Sequence, residues 1–375
     1  MSNAPPSKRF DLTPAMAPFM DVHMMLPLLD FVRNLHLYDE KAITKEKIKT
    51  LNKTNLIDVI EDEYKKFPND AVLQAEYKEK QASFDKRRNA VFDQLDNEPE
   101  LVKKVTEFFG KTELIEQLKS TASNFTVDQL AASHGITAEA LDKYYKWGKF
   151  KFECGLYEDA DAILTNFLSV VQPNSSTVVG ACWGQLASRI LLARWEASLE
   201  SLTKVKETID VRSVAPLDQL RQRAWLLHWG LFVHINQRDG VDALVDFFSE
   251  KVYLQTTENL CPWLLRYYTA FVILSPTRRR TMLRDVLNEI QSLSYLYSDP
   301  ITEFLESLYN QFDFDEAQAK LMLCQVRTPP SRTVVHPFGP LDNPHHPPHS
   351  SHPSHQLFST VETHNRLIPS RRRAT

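Results

Sequence analysis

Glycine is what this sequence has least of for its size. Its 375 residues include 9 glycines, where an average chain of this length carries about 26. Tight β-hairpins and phosphate-cradling loops both need residues that accept positive φ. The shortage therefore argues against sheets and against Gly-rich nucleotide sites. The sequence holds no GxGxxG, no Walker loop, no HExxH, no CxxC and no GxSxG, so none of the common enzyme signatures is available. The acidic residues read as members of solvated helix faces, with no pair set apart by apolar surroundings. No catalytic residue, cofactor site or small-molecule substrate is expected.

Cysteine is sparse too. Cys154, Cys182, Cys261 and Cys324 lie far apart among apolar neighbours, which reads as free thiols in a reducing compartment. No stretch reaches 18 uninterrupted apolar residues, so no membrane span is expected. Lys8 and Arg9 are followed by a segment broken by Asp11, Asp21 and His23, which a signal peptide does not tolerate. A cytoplasmic location follows, with nuclear access open through Arg371, Arg372 and Arg373.

The net charge of −4 is unevenly spread. From Arg327 onward six arginines face Asp342 and Glu362, +4 in all, so the other 326 residues together carry −8. An acidic body does not suit a dedicated nucleic-acid binder, but it permits local basic spots. One is the run Arg278, Arg279 and Arg280, a candidate contact for RNA phosphate or a partner; the plainer reading is a solvated helix start.

What is present is helical periodicity. Phe19, Val22, Leu26, Leu29 and Val32 recur at three- and four-residue steps within 14–38, with Pro27 placed to kink or restart the helix. Short helices are expected near 39–52 and 54–67, the second capped by Thr54. Residues 69–97 form a long charged helix with a thin seam of Leu73, Tyr77, Phe84, Val91 and Leu95, which has room for one partner. Residues 102–118 are the expected antiparallel partner. Residues 223–235 are apolar on nearly every side, so His228 and His234 read as core histidines rather than ligands.

The most informative pattern runs through 125–325. An aromatic is followed by an acid, a small residue at +3 and leucine at +7. Tyr157-Glu158 with Ala160 and Leu164 is one copy, Trp195-Glu196 with Ser198 and Leu202 a second, and Phe314-Asp315 with Ala317 and Leu321 a third. Gly240, Ala243 and Phe247 form a weaker copy without the aromatic. The aromatic is expected to close a turn between antiparallel helices, the acid to favour the helix start, and the small residue to allow close approach. Helix pairs repeated this way stack on their neighbours. The expectation is an all-α fold, a right-handed α-solenoid of helical-repeat hairpins, TPR-like or PCI-type. The domains would be a disordered leader over 1–13, an N-terminal helical domain over 14–124, the repeats over 125–325 and a disordered tail over 326–375. That tail holds 9 of the 21 prolines and 7 of the 12 histidines after residue 326, a composition that cannot order itself. Its histidines, His345 to His355, lack the rigid frame of a metal site.

Several segments in order carry a resemblance: HMMLPLLDFV from His23, WGQLASRILLARWEASLESLTKVKETID from Trp183, QLRQRAWLLHWGLFVHIN from Gln219, LCPWLLRYYTAFVI from Leu260, and DPITEFLESLYNQFDFDEAQAKL from Asp299. Over about residues 10–324 the chain resembles the E-subunit family of the eukaryotic translation initiation factor three complex, within the PCI-domain proteins. The resemblance implies a non-catalytic scaffold that helps bring mRNA to the small ribosomal subunit. The implied partners are other subunits of that complex, especially the PCI subunits and the cap-associated D-subunit. After residue 324 the sequence departs from the family and the winged helix of the PCI module is missing, which implies poorer incorporation into the complex. A PCI scaffold of the proteasome lid or COP9 signalosome uses the same helical repeats and is the alternative.

Overall fold

The computed structural model describes residues 10–36, 38–111, 127–172, 175–211 and 215–325. Among them are 18 α-helices, two 3-10 helices and no strand. The leader's residues 1–9, the tail from 326 and the expected domain boundary at 124–125 lie outside the described residues. The described residues fall into two compact units, 20–214 and 10–19 with 215–325.

The first unit begins with α2 (Met25–Asn34), after the short α1 (Thr13–Met16) of the other unit. Pro27 stands in the first turn of α2, where its missing N–H costs nothing, so the expected 14–38 helix is broken and restarts there. Then come α3 (Glu40–Leu51) and α4 (Ile57–Lys65), each packed on its predecessor. Thr54 does not cap α4 at its own position. Its hydroxyl donates to the Leu51 carbonyl and accepts the Leu56 N–H, which closes the α3–α4 turn and delays the helix to Ile57.

The long helix is α5 (Ala71–Asp96), capped by Asp70, whose carboxylate accepts from the Val72 and Leu73 N–H groups. Its seam packs on α4: Leu73 and Phe84 are buried with Ile57, Ile60 and Tyr64. The expected pairing of α5 with residues 102–118 is not what forms. Val102, Val105 and Phe108 of α6 (Glu100–Gly110) pack instead on α8 (Ala138–Glu153), beside Leu141, Tyr144 and Trp147. The reason is width: the α5 seam is filled by α4, while α6 carries a compact apolar stripe that needs a broader aromatic face. Residues 113–118 lie outside the described residues.

After α7 (Val127–His134) and α8, the helices α9 (Tyr157–Val170), α10 (Ser176–Leu191) and α11 (Trp195–Val211) pack each on the next. In the second unit, α12 (Pro216–Ile235) has every residue from Leu226 to Val233 buried, as an all-round apolar helix requires. It packs on α13 (Gly240–Ser249) and α14 (Lys251–Leu260). There follow α15 (Leu265–Leu274), α16 (Arg279–Leu293), α17 (Pro300–Tyr309) and α18 (Phe314–Gln325), again in contact with their neighbours along the chain.

Candidate interaction surfaces

The repeated pattern falls on helix starts: Tyr157, Trp195, Gly240 and Phe314 are the first residues of α9, α11, α13 and α18. Ala160, Ser198 and Ala317 are buried, as are Leu164 and Leu202. The turns before the three aromatics share a feature that the sequence hides. Two residues before each aromatic the backbone is left-handed: Gly155 at φ +81°, Ala193 at +53° and Phe312 at +54°. At Gly155 and Ala193 the next N–H reaches back five residues, Leu156 to the Lys151 carbonyl and Arg194 to the Arg189 carbonyl. This satisfies carbonyls that the helix end would leave unpaired. Glycine marks one of the three turns; alanine and phenylalanine mark the others, so composition could not reveal them.

Tyr157 does more than begin a helix. Its hydroxyl lies 3.0 Å from His23 Nδ1, and its ring meets Phe152 edge-on. Burial pushes His23 down to about 4, so its imidazole is neutral. Trp195 is half-buried, whereas Phe314 is 61% exposed. Tyr309, Phe312, Met322 and Leu323 are likewise exposed along the α17–α18 hairpin.

The acidic residues do not all sit on solvated faces, contrary to the expectation from sequence. Glu63 is 2% exposed and accepts from Arg33 at 2.9 Å, Lys47 at 2.9 Å and Lys66 at 2.7 Å. Burial alone would raise its pKa; the hydrogen bonds from Lys66, Lys47 and Arg33 outweigh that and hold it at about 2. Asp161 of α9 binds Arg189 Nε of α10 at 2.9 Å, and Arg189 Nη1 donates onward to Ser201 of α11 at 2.8 Å. Asp299 is fully buried. It accepts from Arg266 Nε at 2.5 Å and Tyr297 at 2.6 Å, and caps α17 through the Ile301 and Thr302 N–H groups. Burial would raise Asp299, but the Arg266 charge keeps it below the usual carboxylate range. The cations that neutralise these carboxylates come from other helices, and the sequence does not show which. Asp299-Pro300 with Thr302 was a readable capping box.

The run Arg278–Arg280 stands at the start of α16, with no acid in that first turn. Arg278 Nη2 pairs with Asp246 of α13 at 2.8 Å, both side chains about half exposed. Arg279 and Arg280 make no ion pair among the described residues. Also among the described residues, no helix is long and apolar enough to cross a membrane, and no three His, Cys, Asp or Glu side chains gather as a metal would require.

Comparison with known proteins gives these surfaces a context. Residues 11–151 match the family model of the eIF3 subunit 6 N-terminal domain. A protein of Aspergillus clavatus, named as the E-subunit of eukaryotic translation initiation factor 3, is 35% identical over 324 residues, covering 84% of this chain and 69% of the fungal protein. One of the same name from Drosophila melanogaster is 34% identical over 318 residues, covering 84% of this chain and 71% of its own length. The chain belongs to the E-subunit family of eukaryotic translation initiation factor 3. The match takes in both compact units, and it runs through the helix starts of the repeated pattern.

Proposed function

We propose that the chain is a non-catalytic scaffold subunit of the initiation factor 3 assembly, acting in the cytoplasm. In this reading it binds sister subunits and, through them, helps recruit mRNA to the small ribosomal subunit. The observation that carries the reading is family membership along 84% of the chain. Helices that pack on their neighbours and leave long outer faces suit a scaffold. The proposed arrangement is an N-terminal helical domain over 14–124 and stacked repeats over 125–325, wound as a right-handed solenoid with Tyr157, Trp195 and Phe314 at the repeat turns. The exposed apolar group on α17–α18 is the surface we assign to a sister PCI subunit. The cap-associated D-subunit is a further proposed partner, and Arg278, Arg279 and Arg280 a proposed contact for RNA or an acidic partner surface.

Affinity purification of the tagged chain from cells tests the reading. The other initiation factor 3 subunits should co-purify, and the chain should co-sediment with small ribosomal subunits. Recovery of proteasome-lid or signalosome subunits instead, or of the chain alone, defeats it.

A further inference from the structure

Residues 10–19 belong to the same compact unit as 215–325, although residues 20–214 lie between them in sequence. Three side chains hold this segment by its backbone and its sulfur. Arg266 Nη1 donates to the Phe10 carbonyl at 2.8 Å, Trp229 Nε1 donates to the Phe19 carbonyl at 2.9 Å, and the Tyr267 hydroxyl meets Met16 Sδ at 3.6 Å. The Phe19 ring lies flat on His228, 4.6 Å between centroids and 4° between planes, with Trp263 at 5.8 Å beside it. Met16 is buried. The segment thus occupies an aromatic groove built from α12, α15 and the 3-10 turn Pro262–Leu264 between them.

Groove and segment differ in how their shapes are fixed. His228, Trp263 and Arg266 of the groove are held by partners outside the segment. His228 has its Nδ1 on the Ala224 carbonyl at 2.7 Å and accepts from Trp263 Nε1 at 3.1 Å. Arg266 is fixed by Asp299, which is fixed in turn by Tyr297 and the cap of α17. None of these bonds involves the segment. The segment consists of a four-residue helix and a three-residue 3-10 turn, steadied from within by Thr13 on Asp11. Helices that short have no stability of their own in water. Their order comes from the groove, as for a peptide that folds on binding. A preorganised cleft with a ligand that is not preorganised describes a docking site, with the ligand tethered in cis.

We propose that this groove is a peptide-docking site whose resident ligand is residues 10–19. The segment opens and recloses while the unit around it stays folded. A second copy of the segment, supplied in trans, can then take its place. The recognised chemistry is a methionine and an aromatic three residues apart, on a short turn that presents two backbone carbonyls.

The test uses the full chain and a fluorescent peptide of residues 10–21. In a Met16→Ala/Phe19→Ala chain the resident segment is weakened and the groove untouched. This chain should bind the wild-type peptide at least tenfold more tightly than the unaltered chain does, and a peptide with the same two substitutions should bind neither. Equal uptake by both chains overturns the proposal. So does collapse of the helical signal in the double variant, since the segment would then be fixed core. Hydrogen exchange on the unaltered chain gives a second reading. Amides of 15–19 should exchange at least a hundredfold faster than those of 226–233; equal protection rejects exchange of the segment.

Discussion

The two units solve the same problem, holding helices side by side, in different ways. In residues 20–214 the helices are stitched by buried ions: Glu63 under three cations, and Asp161 under Arg189 and Arg194. In residues 215–325 one ion pair, Asp299 with Arg266, is buried too, but rings pack on rings at Phe247–Tyr253 and Phe248–Tyr268, and the Glu289 carboxyl has an acid for a neighbour rather than a cation. The difference teaches that one helical pattern along a chain does not imply one kind of glue. A stitched unit should fail when a charge is deleted. A closely packed unit should fail when an atom is added.

The largest expected effect follows from the first half of that comparison. Glu63→Ala leaves Lys47, 7% exposed, and Arg33, 17% exposed, with only the half-exposed carboxylate of Asp30. Removing one partner of a buried ion set costs about 3–5 kcal/mol, which urea denaturation should show. In contrast, Glu158→Ala removes an exposed partner of Arg194 and should cost no more than ~1 kcal/mol. Equal losses would mean that burial does not set the strength of the stitching.

The second half predicts a loss of about 3 kcal/mol for Gly240→Ala, at the large end for a single substitution. A Cβ at 240 would lie 1.6 Å from the His234 carbonyl oxygen. The α12–α13 turn must therefore move its backbone or break. This also explains why the weaker copy of the pattern lacks an aromatic: no side chain fits there. Thermal unfolding that matches the unaltered chain would show that the turn has slack.

A smaller loss belongs to Gly155→Ala, at the turn before Tyr157. With φ at +81° and Leu56 Cδ2 2.7 Å from the added Cβ, the cost should be about 2 kcal/mol. Ala193 already stands at +53° in the equivalent turn, so Ala193→Gly should be neutral or stabilise by up to ~1 kcal/mol. A destabilising Ala193→Gly would mean that the two turns are not equivalent. The pair also shows how far the sequence could be read. Helix starts at Tyr157, Trp195 and Phe314, the thin seam of α5 and the core position of His228 follow from periodicity and small-residue spacing, which are local. The left-handed backbone at Ala193 and Phe312 left no mark, because neither is glycine. The α6–α8 pairing and the docking of 10–19 on α12 and α15 depend on which apolar face meets which, and periodicity assigns faces without naming partners. The buried carboxylates were misread for the same reason: Arg33 and Lys47 are separated from Glu63 in sequence and meet it only in the fold.

The smallest effect is a slope rather than a loss, and it sets Glu289 of one unit against Glu63 of the other by the sign of their response to pH. Glu289 of α16 has its Oε2 buried. Burial, then Glu258 of α14 and Asp285, push its pKa up to about 7. An unfolded glutamate titrates near 4.3, so the unfolded chain ionises first as pH rises. The unit around Glu289 should lose stability between about pH 4.5 and 7 and level off above that. Glu63 runs the other way: held at about 2, it adds stability above about pH 4.5 and gives it up as pH falls toward 2. Glu289→Gln keeps the shape and removes the titration. Its melting temperature should match that of the unaltered chain near pH 4 and exceed it at pH 8. An excess of the same size at both values would tie the gain to packing, and the carboxyl pair would lose its place in the contrast between the units.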